Sequence, residues 1–373
     1  MRCCCMALIL ACLAIHSATL AEVRYTVTDL GDLGQHYADP KAVNAYGQAV
    51  GEGYDATGVR KGFFWSSATG MIDVVTPGSP GTSPTGIAFG LNDLGQVVGH
   101  VAPDQGQFTR AFLWSDSGGI RDLGTLGGPD SQAYAINNAG QVVGYAAVPS
   151  GAARAFLWTQ ANGMINLGAL ASYSVATSIN EQGQVTGYTA TPAGVQRGFI
   201  WTSAGGMVAL GTLGGRHSTA NDINNLGQIV GSANTADIDG NSISHAFLYD
   251  GTQMKDLGTL GGTHSEAYAI NDSGWVVGDA DDAGQIKQPF VHDGVSMRNI
   301  NDLIEPLGSW RITNARGINN VGQIIVGGGK DSEPWLHALL LTPIPEPGIT
   351  AGMLIGLGLI RRRCIRRTSG RSA

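Results

Sequence analysis

Between Cys12 and Cys364 the chain contains no cysteine. Cys3, Cys4, Cys5 and Cys12 lie at one end and Cys364 at the other, so the long middle can form neither a disulfide nor a thiolate metal site. Charge is scarce as well: 14% of the 373 residues are charged, against a usual share of about 25%. The net charge of −7 offers no basic face, so no nucleic acid is expected as a partner. No nucleophile elbow, His-Glu-x-x-His, phosphate loop or dinucleotide fingerprint occurs in its proper context. What the chain has instead is glycine, 56 residues of it, which disfavours helix interiors and suits positive-φ turns. Many short strands joined by tight turns are expected.

The two ends read as addresses. Arg2, the apolar run Met6–Ile15 and the small residues up to Ala21 form a secretory signal peptide over 1–21, cleaved after Ala21. Lipidation at Cys12 is the alternative and would leave a very short apolar segment. At the other end stand Pro345-Glu346-Pro347, an apolar stretch Ile349–Ile360, and arginines including Arg361, Arg362 and Arg363. Read from the residues alone, this is a short membrane anchor with arginines on the cytoplasmic side, although it falls short of the roughly 20 residues a comfortable span needs.

The order Pro-Glu-Pro, hydrophobic segment, arginines resembles the PEP-CTERM sorting signal of exopolysaccharide-producing Gram-negative bacteria. That resemblance covers about Pro343–Arg367 of a sorting segment 343–373, and implies an exosortase-type processing enzyme as partner and a transient inner-membrane anchor. It also implies a mature protein at the cell surface or outside the cell.

The middle, 22–342, is one unit repeated seven times. Ile136-Asn137-Asn138-Ala139-Gly140-Gln141-Val142-Val143-Gly144 recurs with its Asn at 44, 92, 137, 180, 224, 271 and 319, at intervals of 43 to 48 residues, in the range of propeller blades. Ala111-Phe112-Leu113-Trp114 and Ile120-Arg121-Asp122-Leu123-Gly124-Thr125-Leu126-Gly127-Gly128 recur in step with it. Each unit supplies four strands: a ends at Ile-Asn, b is Gln-Val-Val-Gly-Tyr, c is Ala-Phe-Leu-Trp, and d is Gly-x-Ile-x-Asp-Leu-Gly. Strand b is apolar on consecutive residues, which requires burial on both faces, as stacked blades provide.

The last unit lacks strand d, and Tyr25-Thr26-Val27-Thr28-Asp29-Leu30-Gly31 is a strand d with nothing before it. The expected fold is therefore all-β, a seven-bladed propeller closed by the N-terminal strand completing the last blade. The units also resemble the HAF repeat, as in His245-Ala246-Phe247. That likeness implies an extracellular repeat protein with no assigned chemistry.

Ligands are expected on the b–c loop face, because the a–b turns are nearly constant while the b–c loops vary. Candidate ligand-binding residues, read as lying on d–a loops of that face, are Asp130, Arg216, His217, His264 and Glu266. Asp237, Asp239 and Asn241 look slightly like a calcium loop, with turn formation as the competing role; no other cofactor is expected. The row Trp65, Trp114, Trp158, Trp201 and Tyr249 is read as blade packing. No catalytic residues are assigned. The reading is an exported, non-catalytic binding or scaffold module associated with exopolysaccharide or surface proteins. The alternative is a secreted carbohydrate-active propeller, a glycosidase or lyase, using carboxylates such as Asp130, Asp237 and Glu266.

Overall fold

A computed structural model describes residues 23–75, 84–102, 108–190, 195–235, 243–305, 310–330 and 332–345. The segment 1–21 read as a signal peptide, the loop with Asp237, Asp239 and Asn241, and the C-terminal segment from Glu346 onward, with Pro347, Arg361, Arg362 and Arg363, lie outside them. Among the described residues there are 28 strands and one 3-10 turn, Ile300–Asp302, and no helix long and apolar enough to cross a membrane.

The strands form seven four-stranded antiparallel sheets, six of them taken up in sequence order from the inside outward. In blade 1 strand a is Gly34–Val43, b is Ala49–Asp55, c is Arg60–Ser66 and d is Gly70–Asp73. Blades 2 to 6 repeat this over 85–122, 131–166, 173–209, 214–256 and 261–299. Blade 7 takes a, b and c from Trp310–Ile318, Ile324–Lys330 and His337–Pro343, and its strand d is Tyr25–Asp29. Tyr25 lies opposite Pro343 and Val27 opposite Leu341. The ring is a seven-bladed propeller closed by its N-terminal strand, as the unmatched strand d required. Tyr25 is fully buried there, and burial pushes its hydroxyl pKa up to about 12. The compact unit is Tyr25–Pro343.

The core lies between blades. Both valines of strand b are buried, Val97 with Val98 and Val142 with Val143. Phe112 of blade 2 packs with Val50 and Phe64 of blade 1, and Phe156 and Trp158 of blade 3 pack with Val98 and Ala111 of blade 2. The repeated aromatic at the end of strand c thus closes a seam.

Two polar devices fix the seams. The first sits at the a–b turns, where each repeated Asn is buried. Each Nδ2 donates to the carbonyl of the equivalent Asn in the next blade: 44 to 92, 92 to 137, 137 to 180, 180 to 224, 224 to 271, 271 to 319 and 319 back to 44, all at 2.9–3.1 Å. Each Oδ1 accepts from the backbone within its own turn, as Asn137 does from Gln141 N at 3.0 Å. Seven identical side chains make one closed circuit, which only a ring permits.

The second device is a serine early in strand a. Ser131 Oγ accepts from Ala111 N at 3.0 Å and donates to Gly124 O at 2.7 Å, tying blade 3 to blade 2. Ser174, Ser218 and Ser265 repeat the bond to the preceding strand c.

Candidate functional site

Strand a carries the same irregularity in every blade: the a–b register skips one residue, three positions before the turn Asn. A bulge leaves one residue unpaired and re-aims its side chain. The seven bulged residues are Lys41, Phe89, Tyr134, Thr177, Asn221, Tyr268 and Arg316, and all line one cavity of about 380 Å³ at the end of the central channel nearer the b–c loops. The residue before the bulge is Ala in six blades and Pro40 in the other; the residue after it is Ala, Gly, Ser or Asp. A constant scaffold therefore presents a position that differs in nearly every blade.

The glycine after the two residues of strand b that pair near the turn belongs to the same device. A Cβ on Gly144 would stand 1.9 Å from Gln132 O, and on Gly231 1.9 Å from Thr219 O. The bulge drives a carbonyl of strand a into the space where a side chain would be.

The mouth has two unlike arcs. Across blades 2 to 4 it is aromatic: Phe89 lies 5.0 Å from Tyr134 and 5.5 Å from His100, Tyr134 lies 6.2 Å from Tyr145, and Tyr173 lies 6.3 Å from Tyr188. Burial raises the Tyr134, Tyr145 and Tyr188 pKa values, and nearby tyrosines or Asp130 add to this. They remain neutral hydroxyl donors, as Tyr134 is toward Gln132 Oε1 at 3.0 Å. Burial and the Arg60 charge lower His100 to about 4, against the pull of Glu52, so its ring is uncharged at neutral pH.

Across blades 6, 7 and 1 the mouth is ionic. Lys41 Nζ contacts Asp39 Oδ2 at 2.5 Å and Glu52 Oε1 at 3.0 Å, and Arg60 pairs with Glu52. Burial alone would raise the Glu52 pKa; Arg60 and Lys41 outweigh it and hold it low. Arg316 stacks over Tyr268 at 4.6 Å and reaches Asp279 at 3.9 Å. Burial raises Asp279 to about 6, with Arg316 opposing.

Glu266 is the sequence-predicted residue found in this mouth: Oε1 accepts from Asn221 Nδ2 at 3.0 Å and Oε2 from the Tyr268 hydroxyl at 3.2 Å. It also faces Asp279 directly across the a–b pair. His264 lines, with Glu266 and Asp279, a side cavity of about 140 Å³, and the other three are placed elsewhere. Asp130 Oδ1 accepts from Thr109 N at 2.8 Å and His217 Nδ1 from Gln196 N at 3.1 Å, both bridging to the preceding blade. Arg216 is exposed. His264 is exposed and pairs with Asp281 at 3.4 Å.

Expected on d–a loops, Arg216, His217, His264 and Glu266 instead sit on strand a, because Gly214–Ile223 and Gly261–Ile270 begin pairing early. Gly214 and Gly261, at positive φ, supply the turn into those strands. Among the described residues no three His, Cys, Asp or Glu side chains are placed to hold a metal ion. Sequence reasoning missed the bulge position itself. Its signal was present, as the most variable residue between a nearly constant Ala and the apolar-Asn pair of the turn.

Below the mouth the channel narrows to a belt formed by the residues after each bulge, including Asp222. Asp222 accepts from Ser178 Oγ at 2.6 Å and from Ile270 N at 2.9 Å, linking blades 4, 5 and 6. Desolvation in this narrow passage raises it to about 6 despite those bonds. The far end opens between the Asn turns, in a cavity of about 210 Å³.

Residues 216–327 match the family described as protein of unknown function DUF3466. No curated protein sequence matches the chain. Among solved structures, the chain is similar to the β-propeller domain of the trilobed protease of Pyrococcus furiosus at 9% identity and a TM-score of 0.51. That match covers 84% of this chain and 98% of the domain. It is also similar to an acylaminoacyl peptidase of Pyrococcus horikoshii at 11% identity and a TM-score of 0.53, covering 87% of this chain and 55% of the peptidase. These likenesses concern the fold. The protease propeller has an open velcro topology, whereas here Tyr25–Asp29 pairs along His337–Pro343.

Proposed function

We propose that this is an exported, surface-associated binding propeller whose mouth on the b–c loop side takes a carbohydrate chain of the exopolysaccharide layer, without transforming it. One observation carries the reading: the seven bulged residues vary on a constant scaffold and gather an aromatic arc opposite an ionic one. Aromatic faces stack on the apolar faces of sugar rings, and paired carboxylates, guanidinium and amide groups bond to hydroxyls. Export rests on the N-terminal apolar segment, and sorting on Pro345-Glu346-Pro347 with the apolar and arginine segments that follow.

Substituting Phe89→Ala and Tyr134→Ala together should weaken binding to purified matrix polysaccharide at least tenfold in affinity electrophoresis, with the far-ultraviolet spectrum unchanged. Undiminished binding would exclude the mouth.

One observation favours a second reading, a glycosidase. Glu266 and Asp279 face each other in register, where side chains lie about 5 Å apart at Cβ, and Asp279 holds its proton up to about pH 6. Two adjacent carboxyl groups, one of them a raised acid, are the pairing that glycoside hydrolysis uses. Against it, Asp279 is almost wholly buried and held by Arg316 and Ala315 N. New reducing ends that appear with the native chain and vanish with Asp279→Asn would establish the enzyme.

A further inference from the structure

Strands a and c run in the same direction, so the a–b turns, the end of strand c and the start of strand d share one face. The propeller's chain leaves from that face at both ends: Pro343 ends strand c of blade 7, and Tyr25, its partner, begins strand d. Pro343 lies beside the blade 7 turn, 3.3 Å from where a Cβ on Gly322 would stand.

On this face the outermost turn residue, two after each Asn, is large, apolar and exposed in four blades: Tyr46 at 75%, Leu94 at 71%, Leu226 at 69% and Val321 at 63%. None of the four is needed for the turn, since Ala139, Gln182 and Ser273 hold the same place in the other blades. The carboxylates one position earlier, Asp93, Glu181 and Asp272, are turned sideways. Each accepts the backbone N–H of the preceding blade's turn at 2.8–3.0 Å. The apolar tips therefore point outward.

We propose that the a–b turn face is a lipid-docking surface, which rests on a membrane while the C-terminal segment holds the chain there, and that the sugar-binding mouth consequently faces away. The inference rests on the reading of Ile349–Ile360 as membrane-entering, and the tether sets the geometry. Six residue steps separate Pro343 from Ile349, at most about 20 Å of extended chain. Strands of seven residues put the opposite face a further ~23 Å away, so the exposed Phe108, Ile286 and Trp335 of that side are out of reach. Tyrosine and leucine side chains on turn tips suit the interfacial zone of a bilayer.

The test is hydroxyl-radical footprinting of the full chain, with and without vesicles of phosphatidylcholine and phosphatidylethanolamine. Oxidation of Tyr46, Leu94, Leu226 and Val321 should fall at least threefold on vesicle binding, while Phe108, Ile286 and Trp335 stay unchanged. Equal protection of both faces, or of neither while the chain floats with the vesicles, overturns the proposal. Protection of the tips without vesicles assigns the face to a second copy and overturns it too.

A chain that does not float refutes the tail reading instead. The closed unit is then held on nickel-chelating vesicles by a histidine tag after Pro347, and the same protection of the tips is expected. Its absence there overturns the lipid assignment independently of the tail.

Discussion

At the scale of single residues, the repeated Asn does what no other side chain of its size can. Its oxygen closes its own turn while its nitrogen bonds the next blade, so both a donor and an acceptor are required. Asn137→Asp keeps the acceptor, loses the donor to Asn180 O and Gln141 Oε1, and sets a carboxylate against those oxygens. A loss of about 3 kcal/mol is expected from a buried acceptor left unpaired beside a charge, read as a lower urea midpoint. An aspartate tolerated without loss would mean that the circuit does not hold the ring.

Asp222 gives a different test. Its folded pKa of about 6 exceeds the ordinary 3.8, so the native state binds its proton more readily than the unfolded chain does. Its contribution is then fully present below about pH 4 and is lost as pH rises to about 6. Glu52, held low by Arg60 and Lys41, acts in the opposite sense, losing its contribution as pH falls. Asp222→Asn should therefore remove a decline on the order of 1–2 kcal/mol between pH 4 and 6. The difference between the melting curves of native and variant chains isolates it.

At the scale of the element, strands a and b form one device. The bulge turns a chosen side chain into the channel, and the strand b glycine makes the bulge sterically feasible. A Cβ at Gly144 would lie 1.9 Å from a carbonyl and 2.9 Å from Ala133 Cα, and neither belongs to a side chain that can swing aside. Gly144→Ala should cost about 3 kcal/mol, at the upper end of overpacking penalties, and shift the Tyr134 ring. Circular dichroism melts and the near-ultraviolet signal of the aromatic arc would register both. By contrast Gly151→Ala, in open space at positive φ, should cost about 1 kcal/mol through backbone strain alone. The ratio of the two separates close approach from conformation.

At the scale of the molecule, closure is a long-range pairing between the chain's first and last strands, reinforced by Tyr25 N bonding to Leu303 O at 2.9 Å. Deleting residues 22–30 would uncover the edge of His337–Pro343 with its run of leucines, a template for pairing with other chains. The expected outcome is concentration-dependent association in light scattering and loss of a single cooperative melt. A monomer that melts as the native chain does would show that six blades and three strands suffice.

The periodic Asn, the doubly apolar strand b and the unmatched strand d specified the blade, the count of seven and the closure, because each is a local pattern repeated until its sum is constrained. The serine and asparagine bonds between blades were not legible, since their partners lie 19 to 20 residues away for the serines and about one repeat away for the asparagines, and neither pattern nor composition states which atoms meet. The mouth was legible only in part. Glu266 stood out by its charge, while Phe89, Tyr134 and Arg316 looked like ordinary strand residues, because a bulge changes where a side chain points without changing what it is. Asp130 and His217 carried the right chemistry for a site and were taken up in inter-blade bonds. What the sequence determined by itself is the repeat and hence the ring. Which seven side chains share the channel was decided by tertiary structure, where one unpaired residue per blade is turned inward toward six others distant in the chain.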